Sequence, residues 1–194
     1  MTDIFTSDEF DSCEFKDLDL TEARLEDKDI ALSVFEHCNF AQTHLEGCRI
    51  EKTRFVDCNV GNVFNERARL IDVEFIRCKI IGLSLFKCDQ TVFDIAFREC
   101  KLVLCNFSDV SMKGASFVDC EIEESYFQNA FLRDATFRGT RFTDTVFSKC
   151  DLRKATFADA SGYSIDPRDN HIEKCSFSVP AVFGLLDGFD IKIL

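Results

Sequence analysis

The 194-residue chain has no tryptophan, only two prolines and only two methionines. Its Met-Thr-Asp-Ile start has neither a basic segment nor an apolar run, so no signal peptide is predicted. No apolar stretch approaches the ~20 residues that a membrane span needs. With so few prolines and no composition shift, nothing marks a linker between two domains. These absences favour a single soluble, cytoplasmic domain that does not contact a membrane.

Motifs of catalysis are also missing. The sequence contains no Gly-rich phosphate loop, no G-x-S-x-G elbow and no H-E-x-x-H zinc motif. None of the three histidines, His37, His44 and His171, stands at metal-ligand spacing from a second histidine or a cysteine pair. We therefore expect no enzyme activity, no metal site and no cofactor.

Eleven cysteines are present, and their odd number and the lack of any C-x-x-C pair argue against a disulfide framework or a zinc site. Five of them recur at intervals of about twenty: Cys38, Cys58, Cys78, Cys100 and Cys120. Cysteines stacked in this way would point their side chains in parallel rather than toward one another. We expect reduced thiols that pack as small apolar groups in a reducing compartment.

Apolar residues recur at every fifth position over most of the chain. In the C-terminal half they are Phe97, Leu102, Phe107, Met112, Phe117, Ile122, Phe127, Leu132, Phe137, Phe142, Phe147, Leu152 and Phe157. The same interval runs from Phe10 to Leu85, where Asn65 is the only polar member. A period of five fits neither the 3.6-residue turn of a helix nor the alternation of a strand. The chain is therefore predicted to turn a corner after every five residues.

Sorting this repeat by a period of twenty separates the residue types into columns. One column is all phenylalanine, provided that two extra residues near positions 86–91 shift the register: Phe15, Phe35, Phe55, Phe75, Phe97, Phe117, Phe137 and Phe157. Four five-residue sides per turn predict a square coil that stacks like side chains on successive turns. Its interior is expected to be filled by side chains, without a ligand cavity.

Asn65 interrupts the apolar repeat, and two explanations are open. A local bulge that turns Phe64 inward is the favoured one, and a buried asparagine bonded to the neighbouring coil is the other. Neither explanation implies chemistry at this position.

After Phe157 the repeat falters, and residues 178–194 are predicted to form a cap on the coil of residues 1–177. Pro180 indicates the start of a short helix over 181–186, and the alternation from Phe189 to Ile193 indicates a strand. The cap carries more apolar residues than one coil end can cover. We predict a two-fold homodimer interface here, formed by Val182, Phe183, Leu185, Leu186, Phe189 and Ile191. A cap that only seals its own end is the alternative.

Negative charge is concentrated at the N-terminal end. Residues 1–50 carry thirteen Asp or Glu and four Lys or Arg, a net charge of −9 out of −12 for the chain, whereas residues 51–100 carry eight of each sign. The carboxylates either prevent end-to-end stacking of exposed strand edges or form an acidic docking surface. Direct binding to nucleic acid is disfavoured, because it needs a basic surface.

One position of the period, two residues after the phenylalanine column, is rich in carboxylates. Its members Asp17, Asp57, Glu99, Asp119 and Asp159 are predicted to lie along one corner of the coil, interrupted by His37 and Arg77. Successive coils stack about 5 Å apart. Carboxylates at this interval are proposed to stand where a DNA-binding protein expects phosphates.

The tripeptides Ala115-Ser116-Phe117, Ala135-Thr136-Phe137 and Ala155-Thr156-Phe157 resemble the pentapeptide-repeat family. The resemblance covers about residues 10–157 and implies an all-β, right-handed quadrilateral β-helix. In length and apolar cap the chain is similar to the Qnr quinolone-resistance proteins and MfpA, which are dimeric DNA mimics that bind type II topoisomerases. It lacks the two projecting loops of Qnr and is closer to MfpA in that respect.

The resemblance implies a bacterial homodimer that binds DNA gyrase or topoisomerase IV and lowers quinolone susceptibility. The alternative is a structural or protein-interaction module with an unrelated partner and no gyrase activity.

Overall fold

The backbone follows the five-residue interval of the sequence, as seen in a computed structural model that describes residues 6–91, 93–189 and 191–192. The described residues form nineteen short strands and two 3-10 helices. The strands are β1 (Glu9–Asp11), β2 (Glu14–Lys16), β3 (Asp29–Ala31), β4 (Val34–Glu36), β5 (Arg49–Glu51), β6 (Arg54–Val56), β7 (Asn59–Gly61), β8 (Arg69–Ile71), β9 (Val73–Ile76), β10 (Lys79–Ile81), β11 (Ile95–Arg98), β12 (Lys101–Val103), β13 (Ser116–Val118), β14 (Glu121–Glu123), β15 (Tyr126–Gln128), β16 (Arg141–Thr143), β17 (Val146–Ser148), β18 (Thr156–Phe157) and β19 (Ser176–Phe177). The 3-10 helices are η1 (Leu85–Lys87) and η2 (Ala181–Leu185).

All paired strands are parallel and come from successive turns of one coil. Three long sheets have the orders β1-β3-β5-β8, β16-β14-β12-β10-β7 and β13-β11-β9-β6-β4-β2, and two small sheets pair β15 with β17 and β18 with β19. Phe35 lies beside Phe55, twenty residues later, and Phe75 lies beside Phe97, twenty-two residues later. The predicted all-β parallel solenoid is confirmed.

The two additional residues of the longer turn lie between Asp89 and Ile95. The amide of Asp89 still bonds the carbonyl of Ala68, as Arg69 bonds Cys48 one coil earlier. By Ile95, which lies beside Val73, the spacing has grown to twenty-two residues. Val92, which the repeat places in this segment, lies outside the described residues.

Corner residues adopt the left-handed backbone conformation at five-residue intervals. The series includes Asp17 (φ 54°), Asp57 (φ 53°) and even the bulky Leu104 (φ 55°). This conformation costs an L-residue roughly 1–2 kcal/mol. The corner amides offset this by bonding the next coil, as Asp57 does to the carbonyl of Ile76 at 2.9 Å. The predicted corner after every five residues is confirmed.

Phenylalanine rings form a continuous stack through the core. The rings of Phe15, Phe35, Phe55, Phe75, Phe97, Phe117, Phe137, Phe157 and Phe177 lie on successive turns, with centroids 4.6–5.3 Å apart and planes inclined by 8–18°. Burial of such a side chain contributes roughly 1.5–3 kcal/mol. The predicted column is confirmed and extends one turn further, to Phe177.

Cysteine side chains form a second column beside the rings. All eleven cysteines are unpaired thiols, and nine are buried. Cys78 Sγ donates to the carbonyl of Phe55 at 3.2 Å, and Cys100 Sγ donates to that of Phe75 at 3.3 Å. Burial raises the pKa of Cys105 to about 12. Such thiols stay protonated at neutral pH and are therefore poor nucleophiles.

Asn65 points into the core, so the favoured prediction of a bulge that turns Phe64 inward is wrong. Asn65 is 4% exposed, whereas Phe64 is 41% exposed and stacks on His44 outside the coil. The Asn65 amide donates to the Ser84 carbonyl at 3.2 Å and to Cys88 Sγ at 3.3 Å, but its Oδ1 is buried without a partner.

A void of about 30 Å³ adjoins Asn65, and the other residues that line it are apolar. A space of this size is comparable to the volume of one water molecule. The interior therefore has no room for a substrate or an organic cofactor at this point.

The C-terminal segment differs from the sequence prediction. Its helix is the 3-10 helix η2, and Phe189 and Ile191 lie outside any strand. Just before Phe189, the backbone carbonyl of Gly188 accepts a 2.7 Å hydrogen bond from the Arg168 side chain. This bond takes the place of one from a neighbouring strand. Asp190 and Ile193 lie outside the described residues. In the described part of the chain, no helix has the length and apolarity to cross a bilayer.

Candidate functional site

The five predicted carboxylates all lie at the same corner position of the coil. Asp17, Asp57, Glu99, Asp119 and Asp159 have φ angles of 53–59°. The amides of the first four donate to carbonyls of the next coil at 2.9–3.0 Å. That of Asp159 donates to the hydroxyl of Ser178 at 3.0 Å. The backbone beneath each carboxylate is therefore fixed by the fold, and we call this edge the acidic corner.

Four members of the acidic corner, Asp17, Glu99, Asp119 and Asp159, are exposed, and Asp57 is half-buried. Glu99 and Asp119 lie on adjacent coils, where the neighbouring rings of Phe97 and Phe117 are 5.0 Å apart. Along the axis of a DNA duplex, each strand carries one phosphate per roughly 3.4 Å. The corner thus presents fixed negative charges at a spacing of the same order as a phosphate backbone.

Arg77 interrupts the acidic corner more strongly than its position in the sequence indicates. Its Nε donates to Asp57 Oδ1 at 2.8 Å and its NH2 donates to Asp57 Oδ2 at 2.7 Å. These bonds hold the pKa of Asp57 below its usual value, and the same carboxylate raises the pKa of Arg77. Asp57 is thus neutralised by a bidentate ion pair and adds little to the outward field.

Gly139 occupies the corner position one coil after Asp119. A Cβ atom added at Gly139 would collide with Asp119 Oδ1. Its φ angle of 68° is also one that glycine adopts without strain. The glycine therefore leaves room for the Asp119 carboxylate in its present orientation.

Elsewhere on the solenoid, many carboxylates pair with cations on the neighbouring coil. Pairs twenty residues apart join Lys16 to Glu36, Lys28 to Asp8, Arg49 to Asp29, Arg69 to Asp89 and Arg141 to Glu121. Their separations are 2.7–3.3 Å. These pairs therefore neutralise carboxylates between adjacent coils outside the acidic corner.

The predicted interface residues of the cap fall into two groups. Val182, Leu185, Leu186 and Phe189 are half-buried, and Leu185 packs on the core. Phe183 and Ile191 are 47% and 60% exposed. Arg168 lies over the ring of Phe189, with its guanidinium carbon 4.3 Å from the ring centroid. Part of the predicted interface therefore seals the coil from within, and part faces outward.

Sequence reasoning missed two features of the surface. The repeat places Arg77 and Asp57 in one column, twenty residues apart. This spacing brings the two side chains together and was the signal for an ion pair that the sequence interpretation did not include. Val179, which is 81% exposed beside η2, was not included in the cap interface.

Comparison with known proteins gives a family match for part of the chain. Residues 90–162 match the family model described as a pentapeptide repeat region. No curated protein matches the chain.

Several solved structures resemble this one. A trypsin-treated form of QnrB1, a plasmid-mediated fluoroquinolone resistance protein, is 15% identical, covers 96% of this chain and 100% of its own, and has a TM-score of 0.46. HetL from a cyanobacterium, Nostoc, a pentapeptide repeat protein involved in heterocyst differentiation regulation, is 12% identical over 88% of this chain and 85% of its own, with a TM-score of 0.46. Rfr23 from the cyanobacterium Cyanothece is 10% identical over 91% of this chain and 92% of its own, with a TM-score of 0.24.

Proposed function

We propose that this chain, a pentapeptide-repeat protein, is a binding protein whose acidic corner engages DNA gyrase or topoisomerase IV. The observation that carries the proposal is the row of exposed carboxylates, Asp17, Glu99, Asp119 and Asp159, at fixed corner positions of the coil. The choice of enzyme follows from the resemblance of its repeats to those of the Qnr and MfpA proteins.

Rigid presentation of charge suits the recognition of a basic groove. A surface that binds DNA is lined with lysine and arginine, which release counterions from phosphates on binding. Carboxylates at a coil spacing of about 5 Å offer those cations an alternative partner. Because the corner amides are bonded to the next coil, little backbone conformational entropy is lost when a partner docks. Binding is expected to weaken with salt, since exposed charges carry the attraction.

A supercoiling assay with purified gyrase and topoisomerase IV, with and without a quinolone, tests the proposal. The corner variant carries Glu99→Lys and Asp119→Lys. Its matched control carries Glu124→Lys and Asp144→Lys, two exposed carboxylates at a different corner with φ angles of 46°. We expect inhibition or quinolone protection by the wild type and the control, and loss of both effects in the corner variant.

Two results would contradict the proposal at different points. No effect of the wild-type protein on either enzyme at micromolar concentration would exclude the topoisomerase partner. Equal activity of the corner and control variants would exclude the acidic corner as the contact surface.

We also propose that the protein is a homodimer joined through its C-terminal cap. The exposed side chains of Val179, Phe183 and Ile191 give this end an apolar surface. Size-exclusion chromatography with light scattering should give twice the chain mass of 22.2 kDa for the wild type and the monomer mass for Phe183→Asp. A monomeric wild type at micromolar concentration would rule out the dimer.

A second candidate function is an interaction module with a different protein partner. The Arg77–Asp57 ion pair and the balanced charge of residues 51–100 favour it, because they break the negative surface that a long DNA mimic needs. Capture of one specific protein in a pull-down, together with no effect on gyrase, would support this candidate.

A further inference from the structure

Three side chains on another side of the coil bring together the donor atoms of a metal site. Glu26, His44 and Glu46 each offer one ligand atom, and these three atoms lie within 4.8 Å of one another. His44 Nδ1 is 3.1 Å from Glu46 Oε1 and 3.9 Å from Glu26 Oε1. Two atoms that each lie about 2.1 Å from one ion are at most about 4.2 Å apart. Both separations from His44 Nδ1 satisfy this limit, and the two carboxylate oxygens lie within 4.8 Å of each other, so that small side-chain movements would bring all three atoms around one ion.

The coil fixes the backbone from which these side chains project. His44 lies between Arg24 and Phe64 in a parallel ladder of single bridges. Its amide donates to the carbonyl of Ala23, and its carbonyl accepts from the amide of Leu25, both at 2.8 Å. The carbonyl of Glu46 accepts from the amide of Asp27 at 2.9 Å. His44 is therefore held in register by bridges to both neighbouring coils, and Glu46 lies in a turn whose carbonyl is bonded to the preceding coil.

The imidazole of His44 is oriented by its neighbour on the following coil. Its ring stacks on that of Phe64, with centroids 4.4 Å apart and planes inclined by 12°. The stacking leaves Nδ1 directed at the two carboxylates, since both close contacts involve this nitrogen. The stack therefore fixes the plane of the imidazole ring.

An unsatisfied atom points independently to a missing partner. Glu46 Oε1 contacts His44, but Glu46 Oε2 is buried and has no hydrogen-bond partner. A buried carboxylate oxygen without a donor is unfavourable, and native structures usually satisfy such atoms. A cation bound between Glu26, His44 and Glu46 would provide this oxygen with an opposite charge.

We propose that Glu26, His44 and Glu46 form a binding site for a divalent first-row transition ion such as Zn²⁺. One imidazole nitrogen and two carboxylates are a donor set that suits such ions, whereas Mg²⁺ and Ca²⁺ prefer oxygen alone. The ion would tie two successive coils together, because Glu26 belongs to one and His44 and Glu46 belong to the next. The site is independent of the acidic corner and of any topoisomerase partner.

Arg24 provides a test in which metal binding is expected to increase rather than decrease. Its NH1 lies 3.2 Å from the same Glu26 oxygen that would bind the ion, and its side chain is 71% exposed. Arg24 therefore competes for this oxygen and repels a cation. Replacement of Arg24 by alanine should strengthen metal binding while removing only an exposed ion pair.

His171 offers a control inside the same fold. His171 Nδ1 lies 4.0 Å from Glu173 Oε1, and His171 lies beside Asp151 on the preceding coil. Asp151 is already bound by Arg153 and Arg133. This second histidine–glutamate pair therefore lacks a free carboxylate beneath it and should not bind the ion.

Calorimetric titration of chelator-treated protein with Zn²⁺ alone tests the site, with the shift in thermal unfolding as a second readout. We expect one saturable site in the wild type. Even supporting partners of metal ligands contribute roughly 10–100-fold in affinity, so His44→Ala, Glu46→Gln and Glu26→Gln should each weaken binding by at least about tenfold. His171→Ala and Cys13→Ser should bind as the wild type does, and Arg24→Ala should bind more tightly.

Absence of saturable Zn²⁺ binding in the wild type would overturn the proposal. Wild-type affinity in Glu26→Gln or Glu46→Gln would also overturn it, and these near-isosteric changes keep the test valid if His44→Ala perturbs the stack on Phe64. Loss of binding in His171→Ala or Cys13→Ser alone would place the ion elsewhere.

Discussion

The guanidinium of Arg77 donates two hydrogen bonds, of 2.7 and 2.8 Å, to the carboxylate of Asp57 on the adjacent coil. Both residues are in left-handed corner conformation, twenty residues apart. Their pairing divides the acidic corner into an N-terminal carboxylate, Asp17, and a group from Glu99 onward. A single cation therefore determines how far the negative surface extends.

Replacement of Arg77 by alanine should free the charge of Asp57 and extend the acidic corner. Because one exposed ion pair is involved, we expect little change in stability, and about two- to fivefold tighter binding of a basic partner. The affinity for gyrase measured at low and high salt checks this. Arg69→Ala is the control, since Arg69 holds Asp89 at 2.9 Å at a different position on the coil. An equal gain in both variants would argue for a general charge effect rather than for the corner.

Replacement of Asn65 by leucine should stabilise the protein. Leucine occupies the equivalent inner position at Leu45 and Leu85, and the change removes the unpaired Asn65 Oδ1 beside the 30 Å³ void. The lost bond to Ser84 offsets part of the gain. We therefore expect the free energy of unfolding, measured by urea denaturation, to rise by about 1 kcal/mol. Asn65→Ala should instead destabilise the protein by enlarging the void. Lower stability of Asn65→Leu would show that the Ser84 bond is the dominant interaction.

Alanine at Gly139 and at Gly114 should differ in effect, although both glycines have positive φ angles of 68° and 75°. Each substitution places an L-residue in the left-handed region, at roughly 1–2 kcal/mol. Only at Gly139 does the new methyl group meet the Asp119 carboxylate, whereas no atom lies within 4 Å at Gly114. We expect a larger loss of stability at Gly139 and a displaced Asp119 amide signal by NMR. Identical behaviour of the two variants would mean that Asp119 moves aside freely.

Asp151 should contribute to the acid sensitivity of the protein. Hydrogen bonds from Arg153, with Arg133 nearby, hold the pKa of Asp151 well below its usual value. Since the folded pKa lies below the unfolded one, the unfolded chain binds the proton more tightly. The contribution is therefore present above about pH 4 and is lost as the pH falls through the folded pKa.

Asp151→Asn should lower stability by about 1 kcal/mol at neutral pH, because both arginines are partly exposed, and should lower it less at about pH 2, where protonation of the unfolded chain has removed part of the contribution. Urea unfolding at the two pH values measures this difference. Asp159→Asn, at an exposed corner carboxylate, is the control. A loss of stability that is the same at both pH values would mean that the Asp151 charge has no role.

Most of the architecture could be predicted from the period of the repeat. Because a coil brings residues twenty apart side by side, the stack of rings from Phe15 to Phe157 and the column of thiols followed from spacing alone. The inward orientation of Asn65 did not follow from spacing, because it depends on the Ser84 carbonyl beside η1 and on the stack of His44 and Phe64 outside the coil. Neither contact leaves a signal in the apolar repeat.

The candidate sites were predicted less completely than the fold. The acidic corner follows from position, but whether a carboxylate is free depends on which long side chain reaches it, as at Asp57. The cluster of Glu26, His44 and Glu46 has no motif along the chain, because its side chains meet across two coils. The cap lies beyond the regular repeat, so the five-residue period could not predict the positions of Phe189 and Ile191.

Each ring in the phenylalanine stack contacts rings of its own turn and of the turns directly before and after it, so the molecule behaves as a one-dimensional array of neighbouring turns. An array of this kind comes apart first at its weakest junction. The turn that runs from Asn65 to η1 adjoins the void and combines an unpaired oxygen with incomplete packing. Amide hydrogen exchange should therefore show the segments before and after this turn opening as separate units, hinged near residue 85.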